Sequence, residues 1–341
     1  MKPEHYVVIG NGAAANRAAE VLRQGDPEGR ITLVSDEKDL FYFRHKLRKF
    51  ISGAFPEAEL RVHPLEWYRQ RNIRLRLGQR VTRLDVASRT LYLQHMEKLA
   101  YSRLLVCCGS RPRIPEPLWE YRRRFTVVKT LDHARALRER LPAVRSIFVA
   151  GGDLVSFRLT EEFLALGREV TFLVDRDAFW PLTPTPAQRR EFAESLARRG
   201  ARVIQDDEVT ALTDEGGGLK VRLARGGTLA CDLAGGFFGL VPDVDFLLGS
   251  GLDIDRGIMV NEYLQTNRED IYAAGDCAQV YNPSIRSYWT SVGWPNARNL
   301  GETAALNILG DVVRAGRAKS SILSIEGVSV STPWWQDRVR G

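Results

Sequence analysis

The stretch that decides the fold covers residues 6–36 and reads YVVIGNGAAANRAAEVLRQGDPEGRITLVSD. An apolar run at residues 6–9 leads into a glycine-containing turn, and an alanine-rich segment with apolar residues at helical spacing follows. Gly25 is placed to end that helix. A second apolar run, residues 31–34, stops just before Asp36. This order predicts a strand, a tight turn, a helix and a parallel strand that carries a carboxylate at its tip.

The turn has the pattern of a dinucleotide-binding loop. Gly10 allows a tight turn, Gly12 lets the backbone approach a pyrophosphate, and Ala15 is small enough for the third position of the pattern. The N–H groups at the start of the helix can then face the anion. Asp36 is placed to accept hydrogen bonds from a ribose. The flanking strands and the acid together predict that this unit binds a dinucleotide.

Length and composition are those of a globular protein with more than one domain. The chain has 341 residues, of which 44% are hydrophobic and 27% are charged, and this length suggests about two or three domains. No apolar run approaches the roughly 18 residues of a membrane span. The first strand begins so early that no signal peptide is expected, and the four cysteines lack the spacing of a disulfide framework or a zinc site. A cytoplasmic protein without a bound metal is predicted.

The net charge of +7 leaves two interpretations open. A positive surface suits an acidic partner or nucleic acid. Arginine-rich pieces such as residues 122–124 are more often a solvated face, and nothing besides the net charge supports nucleic-acid binding.

A second strand–turn–helix–strand unit covers residues 146–175. An apolar run leads into Gly151 and Gly152, a helix follows, and the next apolar run ends at Asp175. Asp153 and Ser156 stand where a dinucleotide loop has its other glycines, and a carboxylate there repels a pyrophosphate. The unit is therefore either a working second nucleotide site or a relic of the fold.

Two further segments carry polar groups at strand ends. Residues 41–49 combine aromatic and basic side chains without any cysteine, and a cation here can reach phosphates held by the first turn. A short apolar strand ends on Gly275 and Asp276, and Trp294 and Pro295 open an alanine-rich helix further on. A strand that ends in Gly-Asp is by itself an ordinary turn.

Taken in order, these motifs resemble the FAD-dependent pyridine nucleotide-disulfide oxidoreductases, flavoproteins with two dinucleotide-binding domains. The nearest branch holds rubredoxin reductase, the ferredoxin reductases of oxygenase systems and the NADH-binding part of assimilatory nitrite reductase. The resemblance runs from residue 6 to about residue 310. It rests on Gly10, Gly12, Asp36, Tyr42, Arg44, Lys49, Cys108, Gly109, Gly151, Gly152, Asp175, Gly275 and Asp276.

The resemblance implies an α/β fold with two Rossmann-like FAD/NAD(P)-binding domains, the second inserted in the first. The FAD-binding domain is expected to comprise residues 1–112 and 244–310, and the NAD(P)H-binding-like domain residues 113–243. Residues 311–341 resemble only the beginning of the family's C-terminal interface domain. This truncated region is expected to leave the flavin more open than in relatives, or covered by a partner.

The resemblance also assigns site residues. NAD(P)H contacts are implied for Gly151, Gly152 and Asp175. FAD contacts are implied for Gly10, Gly12, Ala13, Ala14, Ala15, Asp36, Arg44, Lys49, Val81, Cys108, Gly109, Asp276, Trp294 and Pro295.

The implied function is an FAD-dependent oxidoreductase that passes electrons between NAD(P)H and a one-electron carrier such as a rubredoxin, a ferredoxin or an iron–sulfur partner. NADH is favoured because an acid at Asp175 suits a ribose hydroxyl and repels a 2′-phosphate. The carrier is expected to be acidic, and a homodimer or a hetero-oligomer is consistent with the sequence. The alternative is an FAD-containing electron-transfer subunit of a larger complex with a degenerate NAD(P)H site.

Two departures from the family refine this hypothesis. The disulfide reductases carry redox-active cysteines within the segment that corresponds to residues 41–49, and this chain has none there, so a dithiol relay is not expected and no catalytic side chain is assigned. The four cysteines are predicted to be buried and structural. Arg158 stands where relatives often have an acid near the nicotinamide.

Overall fold

The computed structural model describes residues 3–174, 185–284, 286–290 and 293–316, together with the backbone of two later strands. The α-helices are α1 (Ala13–Gly25), α2 (Leu47–Ile51), α3 (Leu65–Gln70), α4 (Leu131–Arg140), α5 (Leu154–Ala165), α6 (Pro186–Arg198) and α7 (Trp294–Ile308). The strands, in chain order, are β1 (His5–Ile9), β2 (Arg30–Val34), β3 (Ile73–Arg76), β4 (Val81–Asp85), β5 (Thr90–Leu93), β6 (Lys98–Ala100), β7 (Arg103–Val106), β8 (Ser110–Pro112), β9 (Phe125–Thr126), β10 (Ser146–Gly151), β11 (Glu169–Val174), β12 (Arg202–Ile204), β13 (Val209–Glu215), β14 (Gly218–Leu223), β15 (Thr228–Cys231), β16 (Leu233–Phe237), β17 (Leu240–Pro242), β18 (Ile258–Val260), β19 (Ile271–Ala273), β20 (Ala278–Asn282), β21 (Ser287–Thr290), β22 (Ile322–Ile325) and β23 (Val328–Ser331).

The first sheet is parallel and has the order β19-β7-β1-β2-β3. Its central strand is apolar and buried after His5 because both faces are covered, and Val7 and Val8 are fully buried. Ile9 is paired with Val34 on one side and with Val106 on the other. The carboxyl ends of these strands therefore lie at one edge of the sheet, where the loops that follow them converge.

Helices α1 and α7 cross in close contact beside this sheet. A Cβ atom on Gly301 of α7 would lie 2.2 Å from the carbonyl oxygen of Ala14 in α1, so only glycine allows this approach. Ala18 and Ala304 are fully buried as well. The alanine-rich sequence of both helices is thus explained by their packing, and the contact places the start of α1 against the middle of α7.

The second sheet, β12-β11-β10-β16-β9, is also parallel. Helix α5 follows β10 and packs tightly against the sheet. A Cβ atom on Gly151 would lie 2.8 Å from Cβ of Ser156 and 3.0 Å from Cβ of Phe237. Gly151 is thus required for this helix–strand contact, whatever the loop binds.

The chain leaves the first sheet after β7, builds the second sheet and returns through β19. Strands β8 and β17 pair antiparallel where the chain passes out and back, with Ser110 opposite Pro242. The predicted α/β class, with one parallel dinucleotide-type sheet built between the strands of another, is confirmed. The residue limits of the two domains remain a prediction.

Candidate functional site

A cavity of about 1710 Å³ opens at the carboxyl ends of the first sheet. Pockets for small ligands usually measure about 300–1,000 Å³, so this cavity has room for a dinucleotide. Loops after β1, β2, β7 and β19 line it, together with the start of α7. The second domain contributes Lys129, Asp153 and Arg158 to the same lining.

The glycine turn after β1 forms the back of the cavity. Gly10 has a φ of +117°, and a Cβ atom there would lie 2.2 Å from the carbonyl oxygen of Cys107. A Cβ atom on Gly12, by contrast, would have none of the described atoms within 4 Å. Asn16 stabilises the turn, because its side-chain amide donates to the carbonyl oxygens of Asn11 and Gly12 at 3.0 Å.

Helix α1 begins directly after this turn, and no described side chain caps its N-terminus. The first N–H groups of a helix have no partner within the helix and attract anions. The open space at Gly12 and the uncapped helix start together form a cradle that fits the pyrophosphate of a dinucleotide.

Two acids follow β2, and both line the cavity. The side chain of Asp36 is 47% exposed and lies 3.2 Å from the guanidinium of Arg80. Glu37 is more buried and accepts hydrogen bonds from Arg44 at 2.7 Å and from the Tyr42 hydroxyl at 2.5 Å. The sequence pattern pointed to Asp36 alone, and Glu37 is a second candidate for the ribose contact.

We expect Asp36→Ala to weaken FAD binding by about 1–3 kcal/mol, because a ribose hydroxyl that the bound cofactor shields from water loses its acceptor. The fold should be unaffected, since this carboxylate is half-exposed. Quenching of flavin fluorescence on titration of the FAD-free protein measures the affinity. Glu37→Gln is the matched comparison: unchanged affinity in Asp36→Ala together with a loss in Glu37→Gln would assign the ribose to Glu37 instead.

A largely buried polar cluster also lines the cavity. The Lys129 ammonium donates to the Ser110 hydroxyl at 2.8 Å and lies 3.6 Å from the Asp276 carboxylate. Ser110 in turn donates to Asp276 at 2.9 Å. Burial penalises the charged ammonium and lowers the pKa of Lys129 below its ordinary value. The carboxylate that the Gly-Asp motif indicated is thus held by a lysine from the second domain.

Lys49 contacts the second domain rather than the cavity. Its ammonium lies 2.9 Å from the Glu162 carboxylate on α5, and Arg48 pairs with the same carboxylate. Glu162 is nearly fully buried, so this ion pair ties α2 to α5. Arg48, one residue earlier, does line the cavity.

Aromatic rings form the rim where α7 begins. Trp294 stacks on Phe41 with 4.9 Å between ring centroids and an angle of 6°. Both rings, and Pro295 beside them, line the cavity. Of the fourteen residues expected to contact FAD, all but Ala15 and Lys49 line this cavity. Ala15 lies buried beneath the turn. Their contact with FAD remains a prediction.

The second nucleotide loop differs from the first in how its helix starts. The Asp153 carboxylate caps α5 by accepting the backbone N–H of Ser156 at 2.7 Å. Burial raises the pKa of Asp153 to about 7. Gly151 and Gly152 are buried beside it, and Asp175 lies outside the described residues. The Asp153 carboxylate thus accepts a hydrogen bond from an N–H group that could otherwise donate to a pyrophosphate.

The thiols are placed mostly as the sequence suggested. Cys107, Cys231 and Cys277 are buried, and none of the four cysteines forms a disulfide. Cys108 is only half-buried and lines the cavity. Within the described residues, no group of acids, histidines and cysteines is arranged to bind a metal.

Comparison with known proteins assigns this arrangement to a family. The pyridine nucleotide-disulphide oxidoreductase family matches residues 4–299, and the chain belongs to this family. The ferredoxin–NAD(+) reductase component of an anthranilate 1,2-dioxygenase system from Burkholderia cepacia is 29% identical over 312 residues, which cover 91% of this chain and 77% of that protein.

Two further similarities cover most of the chain. The NADH-dependent phenylglyoxylate dehydrogenase subunit epsilon of Aromatoleum evansii is 25% identical over 311 residues, 90% of this chain and 72% of the subunit. The crystal structure of a ferredoxin reductase from Rhodopseudomonas palustris matches with a TM-score of 0.84 at 26% identity, covering 92% of this chain and 78% of that one.

The predicted family is confirmed, with its reductase branch, and so is the predicted class of enzyme, an oxidoreductase that uses FAD and a pyridine nucleotide. In the described part of the chain, no helix is long and apolar enough to cross a bilayer.

Proposed function

We propose that this protein is an FAD-dependent reductase that passes electrons from NADH to an acidic one-electron carrier of the ferredoxin or rubredoxin type. The observation that carries the proposal is the uncapped start of α1, which opens at Gly12 into a cavity of dinucleotide size. A relative that covers nearly the whole chain is named a ferredoxin–NAD(+) reductase component. The domain limits given above and a cytoplasmic location are part of the proposal, and four free thiols fit a reducing compartment.

Each wall of the cavity has a separate task in this proposal. Gly12 and the first turn of α1 hold the pyrophosphate, and Asp36 orients the ribose. Lys129 and Ser110 hold the Asp276 carboxylate ready to accept hydrogen bonds from the cofactor. Trp294 shields the rim from water. Bound FAD supplies the exchange between a two-electron donor and a one-electron carrier. The positive net charge favours encounter with an acidic carrier.

A second candidate function is supported by the capped second loop. If Asp153 keeps NADH out, the chain is an FAD-containing electron-transfer subunit that receives electrons from a neighbour. The similarity to a protein named as the epsilon subunit of an NADH-dependent dehydrogenase supports a place in a larger complex, but not the exclusion of NADH.

Anaerobic titration of the oxidised protein with NADH and with NADPH separates the two candidates. The reductase predicts bleaching of the flavin absorbance by NADH, more readily than by NADPH, and subsequent reduction of an added ferredoxin. If dithionite bleaches the flavin but neither nucleotide does, only the role as an electron-transfer subunit remains.

The capped loop also predicts a pH dependence. Below its pKa of about 7, Asp153 is neutral and repels a pyrophosphate less, so NADH should bind more tightly at about pH 6 than at about pH 8. The ratio of the NADH affinities at these two pH values should approach about tenfold, since the fraction of neutral Asp153 changes by that factor. Asp153→Asn is the matched control, because it keeps the size of the side chain and should remove the pH dependence. Equal dependence in parent and variant would assign the effect to another group.

A further inference from the structure

Tyr42 and Arg44 of the first domain contact the start of helix α4 in the second domain. The buried Tyr42 hydroxyl donates to the Glu37 carboxylate at 2.5 Å and accepts the backbone N–H of Leu131 at 3.0 Å. Arg44 donates to the same hydroxyl at 2.8 Å, to Glu37 at 2.7 Å and to the backbone carbonyl oxygen of Lys129. One hydroxyl and one guanidinium therefore hold this short stretch of backbone at two points.

The contact with Leu131 supplies an acceptor that the helix itself lacks. Leu131 is the first residue of α4, and the first N–H groups of a helix have no acceptor within the helix. The Thr130 side chain accepts the N–H of His133 instead. A buried N–H group without an acceptor is costly, so the Tyr42 hydroxyl stabilises one position of the start of α4.

A second contact keeps α4 against the first domain. Arg135 donates to both carboxylate oxygens of Asp39, at 2.7 and 2.9 Å, and also to Glu57. The Asp39 backbone carbonyl in turn accepts the side-chain amide of Asn11, in the glycine turn, at 3.1 Å. Asn11 and Glu37 both line the cavity. Helix α4 is thus held at its start and in its second turn, and both contacts lead back to the cavity.

The backbone held in this way carries a side chain that reaches into the cavity. The Lys129 ammonium donates to Ser110 at 2.8 Å and lies 3.6 Å from Asp276, and the lysine side chain is only 15% exposed. A lysine has a flexible four-carbon stem, and burial of its ammonium is unfavourable. A loosened backbone at residue 129 would therefore let the ammonium leave Asp276 for water.

We propose that Tyr42 and Arg44 are positioning residues, which place the Lys129 ammonium beside Asp276 and so make the docking of α4 a part of FAD binding. This inference rests on the proposed function, in which Asp276 accepts hydrogen bonds from the cofactor. Tyr42 acts through its neighbours, because its hydroxyl donates once and accepts twice within the protein and has no hydrogen bond left for a ligand.

The first test is a double-mutant cycle on the FAD affinity of the full chain. Tyr42→Phe keeps the ring and removes the hydroxyl, and FAD should bind about tenfold more weakly, as expected for one lost buried hydrogen bond. In the Lys129→Met background the same change should have almost no effect, because the group that the hydroxyl positions is absent. Tyr6→Phe is the matched control. It removes a hydroxyl that donates to Asp26 at 2.8 Å outside the cavity lining, and it should bind FAD like the parent.

The second test needs no FAD. Hydrogen exchange of the Leu131 amide is measured by NMR in the FAD-free full chain. The amide should be protected in the parent and in Tyr6→Phe, although it is the first N–H of a helix. In Tyr42→Phe it should exchange at least about tenfold faster, because its acceptor is gone.

A Leu131 amide that exchanges in the parent as fast as in an unfolded chain would overturn the proposal. An equal loss of FAD affinity from Tyr42→Phe with and without Lys129 would overturn it as well, because the hydroxyl would then act through Glu37 or through stability alone. A protected Leu131 amide in a protein that takes up no FAD would support the contact with α4 and count against the proposed function. The two failures are thereby distinguished.

Discussion

Replacing Gly12 with valine is expected to weaken FAD binding by at least about 2 kcal/mol, roughly 30-fold, while the protein stays folded. A Cβ atom at this position meets none of the described protein atoms within 4 Å, and φ is −88°, which valine can adopt. The added methyl groups would instead fill the space in which the pyrophosphate approaches α1. Flavin fluorescence gives the affinity and thermal unfolding gives the stability.

Gly10→Val is the matched control two residues away. Here φ is +117° and the Cβ atom would lie 2.2 Å from the Cys107 carbonyl oxygen, so the backbone itself must move. This variant should lose about 3 kcal/mol of folding stability or more. A Gly12→Val protein that binds FAD like the parent would show that the anion does not lie at the start of α1.

The second large effect is expected for Asp276→Ala. This change leaves the Lys129 ammonium buried without its nearby carboxylate, and removal of one partner of a buried pair costs about 3 kcal/mol of stability. FAD binding should fall too, because Asp276 lines the cavity. Adding Lys129→Met removes the stranded charge, so the double variant should regain most of the lost stability while FAD binding stays weak. Denaturant unfolding measures the stabilities.

The pH dependence of this loss gives an independent check. Burial already lowers the pKa of Lys129 in the folded protein, and loss of Asp276 lowers it further. At pH values between the pKa of Lys129 in the folded protein and its pKa in the unfolded chain, only the unfolded chain is protonated at this lysine. The free energy of unfolding therefore rises with pH in this window. The stability that Asp276→Ala loses relative to the parent should therefore be greatest at neutral pH. The loss should become smaller as the pH approaches the ordinary pKa of lysine. A deficit that is constant over this range, and unchanged by Lys129→Met, would show that the stranded ammonium is not its cause.

The sequence predicts those parts of the site that depend on local patterns. The first turn is recognisable because Gly10 and Gly12 follow an apolar strand and precede a helix, and Asp36 ends the next strand. Cavity residues further along the chain, such as Val81 and Trp294, were predicted from family resemblance and not from local physics.

The contacts that the sequence did not predict are long-range. Lys129 reaches Asp276 from another domain, and a single lysine after an apolar pair carries no motif. The family resemblance assigned Lys49 to the flavin, and its FAD contact remains a prediction; in the structure its ammonium pairs with Glu162, a partner that only the packing of α2 against α5 provides. Such pairs depend on which loops the strand order brings together.

The second loop shows the limit of electrostatic reasoning from sequence. Asp153 was identified as a charge that repels a pyrophosphate, which assumes an ionised side chain directed at the ligand. In the structure the carboxyl group caps its own helix, and burial raises its pKa to about 7. Both facts depend on tertiary packing. They change the expected effect of Asp153 from a constant repulsion to one that varies near neutral pH.

We expect the cavity at the start of α1 to hold FAD. The most direct measurement is the absorbance spectrum of the purified full chain, followed by chromatography of the cofactor that acid releases. A yellow protein with a flavin spectrum that releases FAD, and not FMN, in an amount close to one per chain is the predicted result. A colourless, well-folded protein that takes up no added FAD would contradict this assignment of the cavity.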